Sequence, residues 1–154
     1  MAIREILQAG NPVLRKKAKL VTEIDDRIIT LLDDMLETMR AADGCGLAAN
    51  QVGVLRRVVV IEVEDELFEL INPEIVSTEG TQEEVEGCLS NPGIAGYVAR
   101  PQKVVVRAYD RKGDLYEYTG EGLIARAFCH EIDHLDGILF TDKMIREASL
   151  DEEE

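Results

Sequence analysis

Apolar positions at Ile24, Ile28, Leu31, Leu32, Met35, Leu36 and Met39 recur at helical spacing over four turns. Thr22 is placed to cap the start, Asp25 and Asp26 suit the positive end of the dipole, and Gly44 follows the end. This predicts an N-terminal amphipathic helix that backs the core. Residues 1–20 read as an extended surface arm with a turn at Gly10-Asn11-Pro12, then the basic cluster Arg15-Lys16-Lys17.

The period then changes to that of strands. Residues 56–63 and 67–71 read as strands around the turn Glu64-Asp65-Glu66, and Asn72-Pro73 breaks the run before a further strand at 74–78. Val104, Val106 and Ala108 alternate with Val105, Arg107 and Tyr109, and residues 115–119 suit an antiparallel return after Asp110-Arg111-Lys112-Gly113. A second helix is predicted over 122–135, stopped at Asp136-Gly137. Its wheel puts Leu123, Ala127, His130 and His134 on one face, Ile124, Phe128 and Leu135 beside it, and Arg126, Asp133 and Asp136 away from it. Without repeats or linkers, the expected fold class is α+β. A single domain over 1–154 would set antiparallel or mixed sheets around this central helix, with an acidic, frayed tail from 147.

Composition narrows the class. With 45% apolar and 31% charged residues, the 154-residue chain suits one soluble domain with a real core. No run is long enough to span a membrane, and no secretory signal opens the chain, so a cytoplasmic protein is expected. A net charge of −14 argues against a DNA or RNA groove. Three cysteines do not make a disulfide framework, which leaves room for a ligand or reactive thiol.

The chemistry concentrates in His130-Glu131-Ile132-Asp133-His134, which holds both histidines of the chain. At four-residue spacing both imidazoles reach one cation, and Glu131 falls beside it as a general base for a bound water. The competing reading is a pair of packed core histidines. A catalytic site needs a third protein ligand and an open position. Downstream candidates are poor: position 140 is Phe140 where one metallopeptidase pattern needs His, and Glu152 to Glu154 lie in the tail. Upstream, Cys88 in Glu86-Gly87-Cys88-Leu89-Ser90 offers a thiolate. Cys129 lies around the helix from the histidines and reads as a packed residue. Cys45 could line a pocket or simply pack.

Taken in order, Gly44-Cys45-Gly46-Leu47-Ala48-Ala49-Asn50-Gln51, Glu86-Gly87-Cys88-Leu89-Ser90 and His130-Glu131-Ile132-Asp133-His134-Leu135 closely resemble the three motifs of the peptide deformylase family, G-x-G-L-A-A-x-Q, E-G-C-L-S and H-E-x-D-H-L. That family removes the N-formyl group from the initiator methionine of nascent polypeptides. The resemblance implies that Cys88, His130 and His134 hold one divalent metal with water as fourth ligand. The metal would be Fe2+ in the cell, with Zn2+, Ni2+ or Co2+ able to replace it. Glu131 would act as general acid/base, with Gln51 and the Leu89 N–H forming the oxyanion hole. Gly44, Cys45, Gly46, Glu86, Gly87, Leu123 and Ala127 are then expected to bind substrate, as an extended strand with its methionine side chain in an apolar pocket. Cys129 stands where many relatives have Gln. The acidic C-terminus lacks the basic docking helix through which some members meet the ribosome, so the expected partners are nascent formylated polypeptides, without DNA or membrane. The alternatives are an endopeptidase, and a structural metal domain or binding module for N-terminal methionine; cleavage of an unformylated internal bond would favour the first, and a fourth protein ligand the second.

Overall fold

The computed structural model describes residues 2–148. Its elements run α1 (Asp26–Ala41), β1 (Gly46–Ala48), β2 (Val58–Val63), β3 (Glu66–Glu79), β4 (Gln82–Glu86), β5 (Ala95–Arg100), β6 (Lys103–Tyr109), β7 (Leu115–Glu121), α2 (Leu123–Leu135), α3 (Phe140–Lys143) and β8 (Met144–Ala148), with 3-10 turns at Pro12–Arg15 and Ala49–Val52. The strands form a five-stranded sheet, β1-β2-β3-β6-β7, and a three-stranded sheet, β4-β5-β8, with antiparallel neighbours throughout. The only parallel pairing among the described residues is an isolated bridge from Lys19 to Arg56.

The run Val58-Val59-Val60-Ile61 is buried on both sides, and the reason is visible in what each face meets. Val59 and Ile61 join Phe68, Val104 and Val106 under Phe128 and Ile132 of α2. Val58 and Val60 turn the other way, to Leu32, Met35 and Met39 of α1. The large sheet is thus sandwiched between the two long helices, and strand alternation assigns each residue to one of them. Leu32, Met35 and Met39 have no exposed surface, and burying each contributes roughly 1.5–3 kcal/mol.

Three expectations change. The cap of α1 is Asp25, not Thr22: the Asp25 carboxylate accepts from the Arg27 and Ile28 N–H groups, satisfying two otherwise orphaned donors. Asn72-Pro73 does not break β3. Asn72 takes a positive φ of 54° at a register shift, and the strand resumes against β6. Its amide also pairs both backbone groups of Val21, with Oδ1 accepting at 2.8 Å and Nδ2 donating at 2.9 Å. Glu147 and Ala148, expected to open a frayed tail, are instead paired with Gly96 and Ala95; residues 149–154 of that tail lie outside the described residues. The N-terminal arm is anchored, with Ala2 N–H and the Arg4 guanidinium on Asp34 and Arg4 N–H on Thr38. No helix among the described residues is long and apolar enough to cross a membrane.

Candidate metal centre and cleft

Helix α2 presents Leu123, Arg126, Ala127, His130 and His134 along one face, a spacing of three, four, seven and eleven residues. Its C-terminal carbonyls are fastened. Asn50 Nδ2 donates to His134 O at 2.8 Å, Ala18 N–H to Leu135 O at 2.7 Å, and Arg57 to the same carbonyl at 3.2 Å. These ties come from Asn50 in the Gly44–Gln51 stretch, from the arm and from the residue before β2, and the first locks the histidine-bearing helix to the segment that holds Gln51.

Cys88 lies between β4 and β5. Its Sγ is 3.3 Å from His134 Nε2, and the donor atoms of Cys88, His130 and His134 all lie within 4.8 Å of one another. His130 Nδ1 is 3.0 Å from Glu86 Oε1, which turns Nε2 toward the thiol. Such a carboxylate partner sets tautomer and ring orientation at metal sites. Burial, and the neighbouring charge of His130, push His134 down to about 3, so its imidazole is neutral and has a lone pair to offer. A thiolate and two imidazoles at this separation fit one borderline divalent cation.

Glu131 is buried beside the donors, with Oε2 4.0 Å from His130 Nε2 and Oε1 without a partner among the described residues. Burial pushes its carboxyl up to about 7, against the opposing charge of His130. The Gln51 amide has a fixed sense, because Ala48 N–H can only donate and meets Oε1 at 3.0 Å. Nε2 therefore faces the centre, donating to Ser90 Oγ at 3.0 Å and standing 3.5 Å from Cys88 Sγ. The arm joins these segments, with Leu7 N–H on Gln51 O and Ala9 N–H on Ser90 O.

All the site residues expected from sequence except His134 line one cleft of about 460 Å³; His134 lies behind Cys88. Two placements differ from expectation. Glu86 lines the cleft but its carboxylate is already committed, to Arg100 through both oxygens (2.9 and 3.0 Å), to Arg126 at 2.7 Å and to His130. Burial opposes its charge, yet the His130 and Arg100 hydrogen bonds hold it down at about 2. It orients His130 and has no oxygen left over for substrate. Arg126, which the wheel turned away from the histidine face, is buried on the cleft face because its guanidinium reaches Glu84 O (2.8 Å) and Val98 O (3.1 Å) on β4 and β5. Its position four residues before His130 was the available signal. Arg100, buried and also bonded to Asp133 at 2.6 Å, carried no such mark in the sequence. Cys129 is buried in the α2 core as a packed thiol.

With that geometry in hand, similarity to known proteins is informative. The family model for polypeptide deformylase matches residues 3–149. The peptide deformylase of Caldanaerobacter subterraneus subsp. tengcongensis is 65% identical over 154 residues, covering 100% of this chain and 96% of its own. Among solved structures, a peptide deformylase from Legionella pneumophila superposes with a TM-score of 0.90 at 48% identity, covering 92% of this chain and 86% of that one. The Synechococcus elongatus peptide deformylase in complex with actinonin gives a TM-score of 0.90 at 42% identity, covering 93% and 79%. The match runs through all three motif segments and nearly the whole chain, and this protein belongs to the polypeptide deformylase family.

Proposed function

We propose that this protein is a metal-dependent hydrolase that removes the N-formyl group from the first methionine of newly made polypeptides, releasing formate. The observation that carries the reading is the Cys88, His130 and His134 donor set within 4.8 Å, beside a buried Glu131 carboxylate oxygen with no partner among the described residues. Residues 1–154 are read as one catalytic domain, with α2 at its centre and α1 as its amphipathic backing.

Cys88 Sγ, His130 Nε2 and His134 Nε2 would hold the cation, which we assign as Fe2+ in the cell with Zn2+, Ni2+ or Co2+ as substitutes. When bound, such an ion supplies Lewis-acid activation of a water molecule near neutral pH. Glu131 accepts the proton of the attacking water and returns it to the leaving amine, a role suited to a carboxyl that exchanges its proton close to neutrality. Gln51 Nε2, its amide sense fixed by Ala48, and the Leu89 N–H donate to the oxygen of the formyl carbon as negative charge develops there. Gly44, Cys45, Gly46 and Gly87 leave room for the extended peptide backbone, and Leu123 and Ala127 form the apolar wall for its first side chain. The protein acts in the cytoplasm, near the ribosome. Its net charge of −14 repels RNA, so encounter with nascent chains needs no nucleic-acid contact.

Protein purified anaerobically with iron should carry about one metal per chain and release formate from formyl-Met-Ala-Ser; inactivity of that preparation sinks the reading. Glu131→Ala should keep its metal while turnover collapses, and metal loss in that variant would make Glu131 a ligand. Actinonin, held by the Synechococcus enzyme, should inhibit.

A further inference from the structure

Ser90 closes the segment that carries Cys88 and Leu89, but it does not line the cleft and is only 1% exposed. Its hydroxyl meets Gln51 across 39 residues of sequence: Gln51 Nε2 donates to Ser90 Oγ at 3.0 Å. The far end of the amide fixes the direction of that bond. Ala48 N–H holds Gln51 Oε1 at 3.0 Å, so the nitrogen turns to Ser90, and Oγ is the acceptor. A primary amide nitrogen carries two hydrogens. With one on Ser90, the other is left for the metal side of the amide, where Cys88 Sγ stands 3.5 Å off. It is the one hydrogen left to meet a substrate oxygen.

The main chains on both sides are already held by the arm, through Leu7 N–H on Gln51 O at 2.7 Å and Ala9 N–H on Ser90 O at 2.6 Å. Those ties place the two backbones but leave the Gln51 side chain its torsions. An amide held at its oxygen alone can turn about that bond; held at its oxygen and at one hydrogen, its plane is set. We propose that Ser90 is a positioning residue for the oxyanion site: its hydroxyl takes one Gln51 hydrogen and so aims the other at the oxygen of the formyl carbon. A donor aimed in advance needs no reorientation as charge develops. Without the hydroxyl the amide plane is free to turn, and the loss falls on the transition state rather than on substrate binding.

This role rests on the deformylase reading and on Gln51 as a donor. Iron-loaded wild type, S90A, Q51A and S90A/Q51A are compared on formyl-Met-Ala-Ser, with metal content and thermal midpoint measured for each. Inactive wild type sinks the function and the role of Ser90 with it; with active wild type, the variants test the role alone. S90A should keep its metal, keep KM within about twofold and lose about tenfold in kcat. Q51A should lose on the order of 10²-fold, and adding S90A to it should cost less than about twofold more, because the hydroxyl then has no amide to aim. An S90A loss that multiplies with the Q51A loss overturns the assignment, as does a loss carried by KM, or a kcat in S90A within about twofold of wild type. If S90A does not fold, S90G takes its place in the same comparison.

Discussion

An added Cβ at Gly46 would stand 2.5 Å from Glu131 Oε2, and one at Gly44 would stand 2.6 Å from a Leu89 methyl. Both glycines therefore keep space for residues of the site itself. At Gly46 the neighbour is the buried Glu131 carboxylate proposed as the base, so G46A should leave the fold and metal content intact while kcat falls on the order of 10²-fold, since a misplacement near 1 Å costs about that much. Circular dichroism, metal analysis and formate release check the three parts together. Single residues were legible in the sequence where chemistry and spacing coincide, as in His130-Glu131-x-x-His134. They were not legible where the partner is remote. The wheel turned Arg126 away from the histidine face despite its position four residues before His130, and nothing local shows that Glu84 O and Val98 O wait for it on β4 and β5. Glu86 was read as facing substrate for the same reason: Arg100 lies fourteen residues on and was not marked as its partner.

The two long helices were readable from one apolar face at helical spacing, and β2, β3, β6 and β7 from apolar runs or alternation set off by turn residues. β4 was not, since Gln82-Glu83-Glu84-Val85-Glu86 offers one apolar residue to an alternation count, and its strand character comes from pairing with β5. β1 was hidden for the opposite reason, being three residues long and buried throughout. β8 was masked by its closeness to the acidic terminus. The bulge in β3 shows how one polar residue can hold an element together. Asn72 supplies a left-handed backbone and two bonds to Val21, tying the strand to the arm. N72A should lose both and cost about 2–3 kcal/mol, while N72G, which keeps the backbone conformation, should cost about 1–2. Urea midpoints of the two variants against wild type test the order as well as the size.

At the scale of the whole molecule, the three-stranded sheet, α2 and α3 meet at one ion cluster. Glu86 and Asp133 share Arg100, Arg126 adds to Glu86, and Lys143 reaches Asp133 at 3.0 Å. Glu86 is held at about 2 in the fold against an ordinary value of 4.5. A depressed carboxyl stabilises fully above its unfolded value, so its contribution, on the order of 3 kcal/mol, is present above about pH 4.5 and is lost as the pH falls toward 2. E86Q leaves two buried guanidinium groups short of a partner and should cost about 3–5 kcal/mol at neutral pH. The gap between E86Q and wild type should narrow between pH 4.5 and 2, read from urea titrations of the EDTA-treated proteins; a gap constant across that window excludes the role.

Arg100 is 3% exposed, and that burial has a consequence for how the protein meets its surroundings. Counterions screen charges they can approach, and over a distance near 8 Å at physiological ionic strength. They gather around the acidic exterior, but they do not enter the space between Arg100, Glu86 and His130. The Arg100–Glu86 pair that holds His130 is therefore screened little by the medium. Changes in salt should leave the Arg100–Glu86 pair and the ring orientation of His130 unaltered.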